Sequence, residues 1–463
     1  MAKLSDDDQV LLRRLKRRLD RDKRNTTVEG HVVPGFNSLR AYYQGRQRLL
    51  QLGIAVPEEL RKFVTIVAWP RTYVDTIVSR LRPQGFLVEG EDDTELWRYW
   101  QVNKLDSEIR MSLTDMLTYG RGYLCAGSRP EDDLDVGAPL ITVESPLELI
   151  HEWSNRERRV TAAARFYVED AGGRHEHRAT LYTRDSTRWL TRNDEGAWID
   201  DTEPDEHNMG IVPVQPLVNR ASSDDRYGES EMQAIIGLTD AAARALTNAQ
   251  VATEVMSLPQ RWAAGLTPDD FKDPRTKKTL TAWEAYFGAV WATGNPEAKF
   301  GQFSAASLDN FKTIYGVWAG AVSGVTGLPM RYLGQASENP PSAEGIRADE
   351  SRIIGTAEEK QEFASDGLES TMRTSKRIQT GEDDPRLALL ETNWRSAATP
   401  TQAQATDAAV KMHAENLISR RQALRDCGYS PAQISKIEEE LRAEALDPLT
   451  QKLLDGIDNA GAA

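Results

Sequence analysis

Apolar residues recur at three- and four-residue steps along much of this chain, the spacing of helices with one buried face. In "EELRKFVTIVAWPRTYVDTIVSRL" the row runs Phe63, Ile66, Val67, Tyr73, Val74, Ile77, Val78 and Leu81, and Pro70 is expected to kink or split it. "DTELWRYWQVNKLDSEIRMSLTDMLTYG" predicts one or two more helices, ended by Gly120 and Gly122, so residues 36 to 127 read as a helical block. Within it "PQGFLVEGEDD" reads as a turn and short strand, and "YLCAG" as the start of another strand. From 138 to 220 the pattern changes. "PLITVESP", "RRVTAAARFYVED", "HRATLYTRDSTRWLTR" and "VPVQPLVNR" are rich in strand formers and separated by turn signals, with "DAGGRH" joining the second and third as a hairpin. An antiparallel β insertion of modest size is expected there.

Long helices follow. Residues 227 to 257 are proline-free and alanine-rich, about 30 residues that would span roughly 45 Å. Their apolar row (Met232, Ile235, Ile236, Ala242, Leu246, Ala249, Met256) is weak, which suits lateral packing against identical copies better than a single deep core. Residues 258 to 305 read as a small α/β excursion carrying Trp262, Trp283, Phe287 and Trp291, aromatics expected at an interface. "SLDNFKTIYGVWAGAVSGVTG" predicts a second helix. "SAEGIRADESRIIGTAEEKQEFASDGLESTMRTSKRIQ" predicts a third, with Ser342 as its N-cap and Ile346, Ile353, Ala357, Ala364, Leu368 and Met372 as its row. The segment between them is expected to turn at Gly324, Gly327 and Gly334 and to be stiffened by Pro329, Pro340 and Pro341. Beyond about 398 the chain reads as two or three short helices, one restarting at Ser430-Pro431.

Charge narrows the function. With 57 Lys and Arg against 71 Asp and Glu, the net charge is -14, which disfavours tight nonspecific nucleic-acid binding by the whole surface. It does not disfavour a protein past which DNA must slide. The one basic cluster is "RRLKRRLDRDKR", residues 13 to 24, with Leu11, Leu12, Leu15 and Leu19 on a common helical face. A solvated amphipathic helix is the first reading of it, ahead of a contact to a neighbouring subunit or a nucleic-acid arm. No run of about 18 apolar residues suggests a membrane span. The first residues are acidic and lack an apolar stretch, so a reducing cytosol is the expected place of synthesis. Cys125 and Cys427 form no disulfide framework or zinc pattern.

Catalytic motifs are not found. No Walker A pattern, HExxH, GxSxG elbow or spaced Cys–His pair occurs. The glycine-rich stretch at 324 to 334 is followed by "SAEG", placing a carboxylate where a helix N-terminus would hold phosphate. His175 and His177 share a strand face but read as an exposed hairpin. The carboxylates of "EGEDD", "PEDDLD" and "GEDDP" read as solvated loops. A metal-dependent nuclease using Asp92 and Asp93 or Asp383 and Asp384 is the enzyme alternative, and a shell-forming capsid or scaffold-like protein is the noncatalytic one. No cofactor is expected.

The ordered set of pieces resembles the portal proteins of tailed double-stranded DNA bacteriophages, of the long-tailed-phage type. "LRAYYQGRQRLL", "TYVDTIVSRLRPQGF", "HNMGIVPVQPLVNR" and "TGLPMRYLGQASENPPSAEGIRADESRI" carry the resemblance in that order. It implies an α+β, mainly α fold with a wing at 1 to 226 and stem helices at 227 to 257 and 306 to 326. It also implies a clip at 258 to 305, a tunnel loop at 327 to 342, a long returning helix at 343 to 398 and a helical crown at 399 to 463. It implies a homo-oligomeric ring, a dodecamer in the virion, at one capsid vertex within the major capsid protein, assembled in the host cytoplasm and without a membrane partner. Double-stranded DNA would pass through the centre, past Gln335, Ser337, Glu338 and Asn339. The terminase large subunit and later the head-completion or adaptor proteins would dock on the clip, at Trp262, Trp283, Phe287 and Trp291.

Overall fold

The computed structural model describes residues 4–47, 64–130, 132–135, 137–193, 195–256, 261–265, 267, 272, 278, 296–302, 309–335, 342–398, 402–429 and 433–442. The chain divides into two units. One comprises 1–47, 68–237 and 322–463; the other comprises 48–67 and 238–321.

The larger unit begins with helix α1 (Asp6–Asp22), which Ser5 caps by accepting a hydrogen bond from the Asp8 amide at 3.1 Å, and continues into a hairpin of β1 (Thr26–Val28) and β2 (His31–Val33). The leucine row of α1 settles on a five-stranded antiparallel sheet of order β11-β10-β9-β8-β7: β7 (Leu149–Ser154), β8 (Arg159–Ala171), β9 (Arg174–Tyr182), β10 (Thr187–Arg192) and β11 (Trp198–Asp200). Leu12, Leu15 and Leu19 are buried there with Ile150, Phe166, Leu181 and Leu190. Burying three leucines contributes roughly 5–9 kcal/mol before chain entropy is counted. The expected β8–β9 hairpin is present, pairing Val168 with His177 and Ala171 with Arg174.

The β region is not one insertion. A separate three-stranded sheet has the order β12-β5-β6, combining β5 (Arg121–Gly127) from the helical block with β6 (Leu140–Glu144) and β12 (Val214–Val218). Tyr123, Cys125 and Val214 from this sheet pack with Leu149, Val160 and Ala163 from the larger one. β6 and β7, neighbours in sequence, therefore lie in different sheets, and β12 returns from beyond the larger sheet to supply the second ladder of β5.

The helical block contains α2 (Phe36–Gln44), α3 (Trp69–Val78), α4 (Thr94–Val102) and α5 (Leu105–Tyr119). Pro70 does not kink a helix among the described residues. It lies in the first turn of α3, where its missing N–H has no intrahelical acceptor to lose. Residues 64–68 just before the helix are not helical, so Ile66, which is exposed, and Val67 do not continue the row expected of them; Phe63 lies outside the described residues. The strand expected in "PQGFLVEGEDD" is β3 (Pro83–Val88), which turns at Gly90 into β4 (Glu91–Asp92). Its second neighbour is β15 (Leu390–Trp394), some 300 residues later in the chain.

Helix α6 (Gln233–Met256) starts six residues later than the alanine-rich pattern does. The residues before it make a tight turn against the end of α5: Gly120 and Gly228 both have positive φ, and a Cβ on Gly228 would sit 2.3 Å from the Gly120 carbonyl oxygen. Helix α7 (Asp309–Thr326) and the 38-residue α8 (Ala343–Thr380) are the second and third long helices. Ser342 caps α8 as expected, accepting from the Gly345 amide at 3.1 Å. The helix ends at Gly381, so the rest of the 343–398 span is a 3-10 turn followed by β15. In the tail lie α9 (Gln402–Ala414), α10 (Arg420–Asp426) and a helical stretch at 433–442; Ser430 and Pro431 lie outside the described residues. In the smaller unit β13 (Arg261–Ala264) and β14 (Lys299–Gln302) form an antiparallel pair.

Candidate functional site

The segment between α7 and α8 is an anchored loop base rather than an open hinge. Gly324 belongs to the last turn of α7, so it does not supply the turn expected of it. The chain reverses at Gly327, where φ is +72° and a Cβ would meet the Cβ of Arg352 at 2.7 Å. Such a conformation with such a neighbour admits only glycine without rearrangement. Leu328 and Leu333 then bury their side chains around a 3-10 turn, Met330–Leu333, closed by Gly334 at φ +81°. Ser323 donates to the Leu328 carbonyl at 2.7 Å, and Arg352 donates to the Gly324 carbonyl at 2.9 Å, satisfying a C-terminal acceptor of α7.

Arg331, the one cation in this stretch, is neutralised. Its guanidinium lies 2.5 Å from Glu350 and 3.5 Å from Asp349. Glu350 also accepts from the Tyr332 hydroxyl at 2.8 Å and pairs with Arg80 at 3.0 Å, and both side chains of that last pair are buried. Of the loop residues singled out from the sequence, Gln335 is half-buried and its amide donates to the Met330 carbonyl at 3.1 Å. Ser337, Glu338 and Asn339 lie outside the described residues, as do Pro340 and Pro341.

A second charged centre lies just before α6. The Glu231 side chain is fully buried. One oxygen accepts from the Tyr73 hydroxyl at 2.8 Å and from Arg220 at 2.7 Å; the other accepts from Arg220 at 2.7 Å and from Asn219 at 3.1 Å, with the Lys360 ammonium 3.2 Å away. Burial by itself would raise the Glu231 pKa, but the Arg220 fork, Lys360 and Tyr73 hold it down at about 2. Burial and the adjacent carboxylate push the Tyr73 hydroxyl upward. The arrangement ties α3, the end of β12, the start of α6 and the middle of α8 to one carboxylate.

Neither Glu350 nor Lys360 was singled out from the sequence, yet a signal was present. Both occupy steps of the apolar row of α8, where Glu350, Ile353, Ala357, Lys360 and Ala364 follow one another at three- and four-residue spacing and are buried; Ile346, the expected first member, is exposed. A charge on a buried stripe needs a buried partner.

The acidic clusters are exposed in part, as at Glu89, Glu91, Asp132, Glu382 and Asp383, but some of their carboxylates are committed to structure. Asp92 is not a solvated loop residue: it is nearly buried and receives Arg421 at 3.3 Å and Arg425 at 2.5 Å, tying α10 to the β3–β4 hairpin. Asp93 caps α4, accepting from the Glu95 and Leu96 amides, both at 2.9 Å. Asp384 caps the 3-10 turn at Pro385, and Asp383 pairs with Arg377 at 3.2 Å. Among the described residues no three His, Cys, Asp or Glu groups are placed to hold a metal ion, and His175 and His177 are both exposed. His151 is buried instead, its Nδ1 2.8 Å from the Tyr123 hydroxyl. Burial, then Arg121 and Arg18, lower its pKa well below the usual value, so it is neutral.

In the smaller unit Trp262 is paired in register with Gly301 and is 39% exposed, the condition a docking aromatic needs. Trp283, Phe287 and Trp291 lie outside the described residues.

Comparison with known proteins adds a direct likeness. Residues 29–446 match the family described as "Phage portal protein, SPP1 Gp6-like". The portal protein of Mycobacterium phage D29 is 39% identical over 418 residues, covering 88% of this chain and 84% of the relative. That of Mycobacterium phage L5 is 38% identical over 413 residues, covering 87% and 83%. A chain from the solved virion of a native gene transfer agent particle aligns with TM-score 0.44 at 13% identity, covering 86% of this chain and 94% of that one.

Proposed function

The chain belongs to the SPP1 Gp6-like phage portal protein family, and from that premise we propose that it forms a ring of twelve copies at one capsid vertex, through which double-stranded DNA enters and leaves. The ring assembles in the host cytoplasm and becomes part of the virion, seated among copies of the major capsid protein. The loop after Gln335, including Ser337, Glu338 and Asn339, faces the central channel. The excursion carrying Trp262, Trp283, Phe287 and Trp291 receives the terminase large subunit during packaging and the head-completion proteins afterwards.

The observation that carries the channel reading is the state of Arg331. A loop that must let a polyanion slide cannot hold it, and an unpaired guanidinium would bind phosphate. At the loop base that guanidinium is occupied by Glu350 and Asp349, while Leu328 and Leu333 fix the base so that the tip has a defined origin. The net charge of -14 acts in the same direction.

Negative-stain images of the purified protein should show particles with a central hole. In a packaging assay, Glu338→Lys with Asn339→Lys should leave those rings intact and slow DNA uptake several-fold, because two ammonium groups would grip the backbone. Uptake at the normal rate by rings of that variant would overturn the contact between loop and DNA.

A further inference from the structure

We propose that the outward face of α1 is a second DNA-contacting surface, an arginine row that holds the phosphate backbone of double-stranded DNA without reading its sequence. It is separate from the channel loop and does not rest on the role given to that loop. The inward face of α1 is occupied, since Leu12, Leu15 and Leu19 are buried on the five-stranded sheet. That packing fixes which residues face out: Val10, Arg13, Arg17 and Arg21 follow one another at three- or four-residue steps and are all exposed. The three arginines rise one turn at a time over about 12 Å.

The structure treats these arginines unlike the rest of the basic cluster. Arg14 pairs with Glu152 at 2.8 Å, Lys16 pairs with Asp20 at 2.7 Å, and the Arg18 guanidinium lies over the Tyr227 ring at 3.4 Å from its centre. Arg13 donates through Nε to the Gln9 carbonyl and meets no carboxylate among the described residues, and neither does Arg17. Arg21 lies 3.5 Å from Asp22, a carboxylate that Arg121 already binds at 2.5 Å. A chain with an excess of 14 negative charges thus leaves Arg13 and Arg17 open, with Arg21 next in the row beside a carboxylate that Arg121 already holds.

The chemistry of the row selects its partner. A protein partner would be expected to bury an apolar centre, with aromatic or methionine anchors inside a polar rim. This face has Val10 as its sole apolar member. Phosphate recognition needs only guanidinium forks spaced along a rigid element, which is what the packed helix supplies. The other reading, a second copy of this chain, is an outcome of the test.

Full-length protein is titrated onto a fluorescent random-sequence duplex of about 30 base pairs, at salt from about 50 to 200 mM, and binding is followed by anisotropy. Three phosphate contacts predict a slope of log K against log salt of about -3. Arg13→Glu with Arg17→Glu and Arg21→Glu should weaken binding at the lowest salt at least about 100-fold and flatten the slope, whereas lysines at the same positions should retain most of both. An unchanged slope in the glutamate variant, or no binding by the native chain at the lowest salt, would overturn the proposal. So would a change of oligomeric state in sedimentation with DNA affinity intact, which would make the face a contact between copies. Should the triple variant melt early, Arg17→Glu alone decides, since one lost contact reduces the slope by about 1 and an unaltered slope overturns the assignment.

Discussion

Glu231 is a fully buried carboxylate and Asp115 a half-buried one in the larger unit, and the fold gives them opposite fates. Glu231 is met by Arg220, Lys360, Tyr73 and Asn219, and it stays ionised down to about pH 2. The Asp115 side chain, on α5, has no hydrogen bond or ion pair among the described residues. Burial raises it to about 7, with Arg40 only partly offsetting the effect. Burial alone therefore says little about the charge of an acid here; the number of cations and donors delivered to it decides. The elements that deliver to Glu231 are the ones that position α6 and α8, whereas the Asp115 carboxylate bridges no elements among the described residues.

The sharpest way to break this contrast is Glu231→Ala. It leaves the buried Lys360 with only the half-exposed Glu359, 3.5 Å away, and frees Tyr73, Asn219 and Arg220, so unfolding in urea should show a loss of about 3–5 kcal/mol. A loss below about 1 kcal/mol would mean that the cations find water and that the centre holds nothing together. Lys360→Met should cost less, about 1–2 kcal/mol, because the Arg220 fork remains on the carboxylate. It should also move the acid limb of the stability curve to higher pH. Glu231 has a depressed folded pKa, so its contribution is complete above the unfolded value of 4.5 and is lost as pH falls toward about 2. Weakening its partners narrows that window from below.

Asp115→Asn is the smallest and has the opposite sign. The folded pKa of Asp115 lies above its unfolded value of 3.8, so the folded state holds the proton longer and stability declines as pH rises from about 4 through about 7. The amide should add about 1 kcal/mol at pH near 8 and close to nothing at pH near 4. A stability gain independent of pH would show that packing, and not ionisation, separates the two residues.

The same difference governs what could be read in advance. The leucine row of α1, the capping serine of α8 and the β8–β9 hairpin follow from signals within a single segment and are present, and the one or two helices expected after Thr94 are two. What escaped depended on partners distant in the chain. β3 pairs with β15, β5 pairs with β12, and Asp92 belongs to arginines of α10 rather than to a solvated loop. Pro70 was legible as a helix breaker but not as a helix starter, since that depends on where the preceding chain goes. At the loop base, glycine content pointed to a reversal; only the approach of Arg352 singles out Gly327 and leaves Gly324 inside a helix.

By itself, the sequence determined the helical rows, the strand-rich middle, the excess of acid and the order of segments in which the portal family was recognised. These are properties of neighbours along the chain, carried by spacing and composition. Tertiary structure alone decided which charges are spent and which stay open. Arg331 is quenched by Glu350, Glu231 is fixed by Arg220 and Lys360, and Arg13 and Arg17 are left facing outward. The physical reason is that the state of a charge depends on groups within a few ångströms, whatever their separation in sequence.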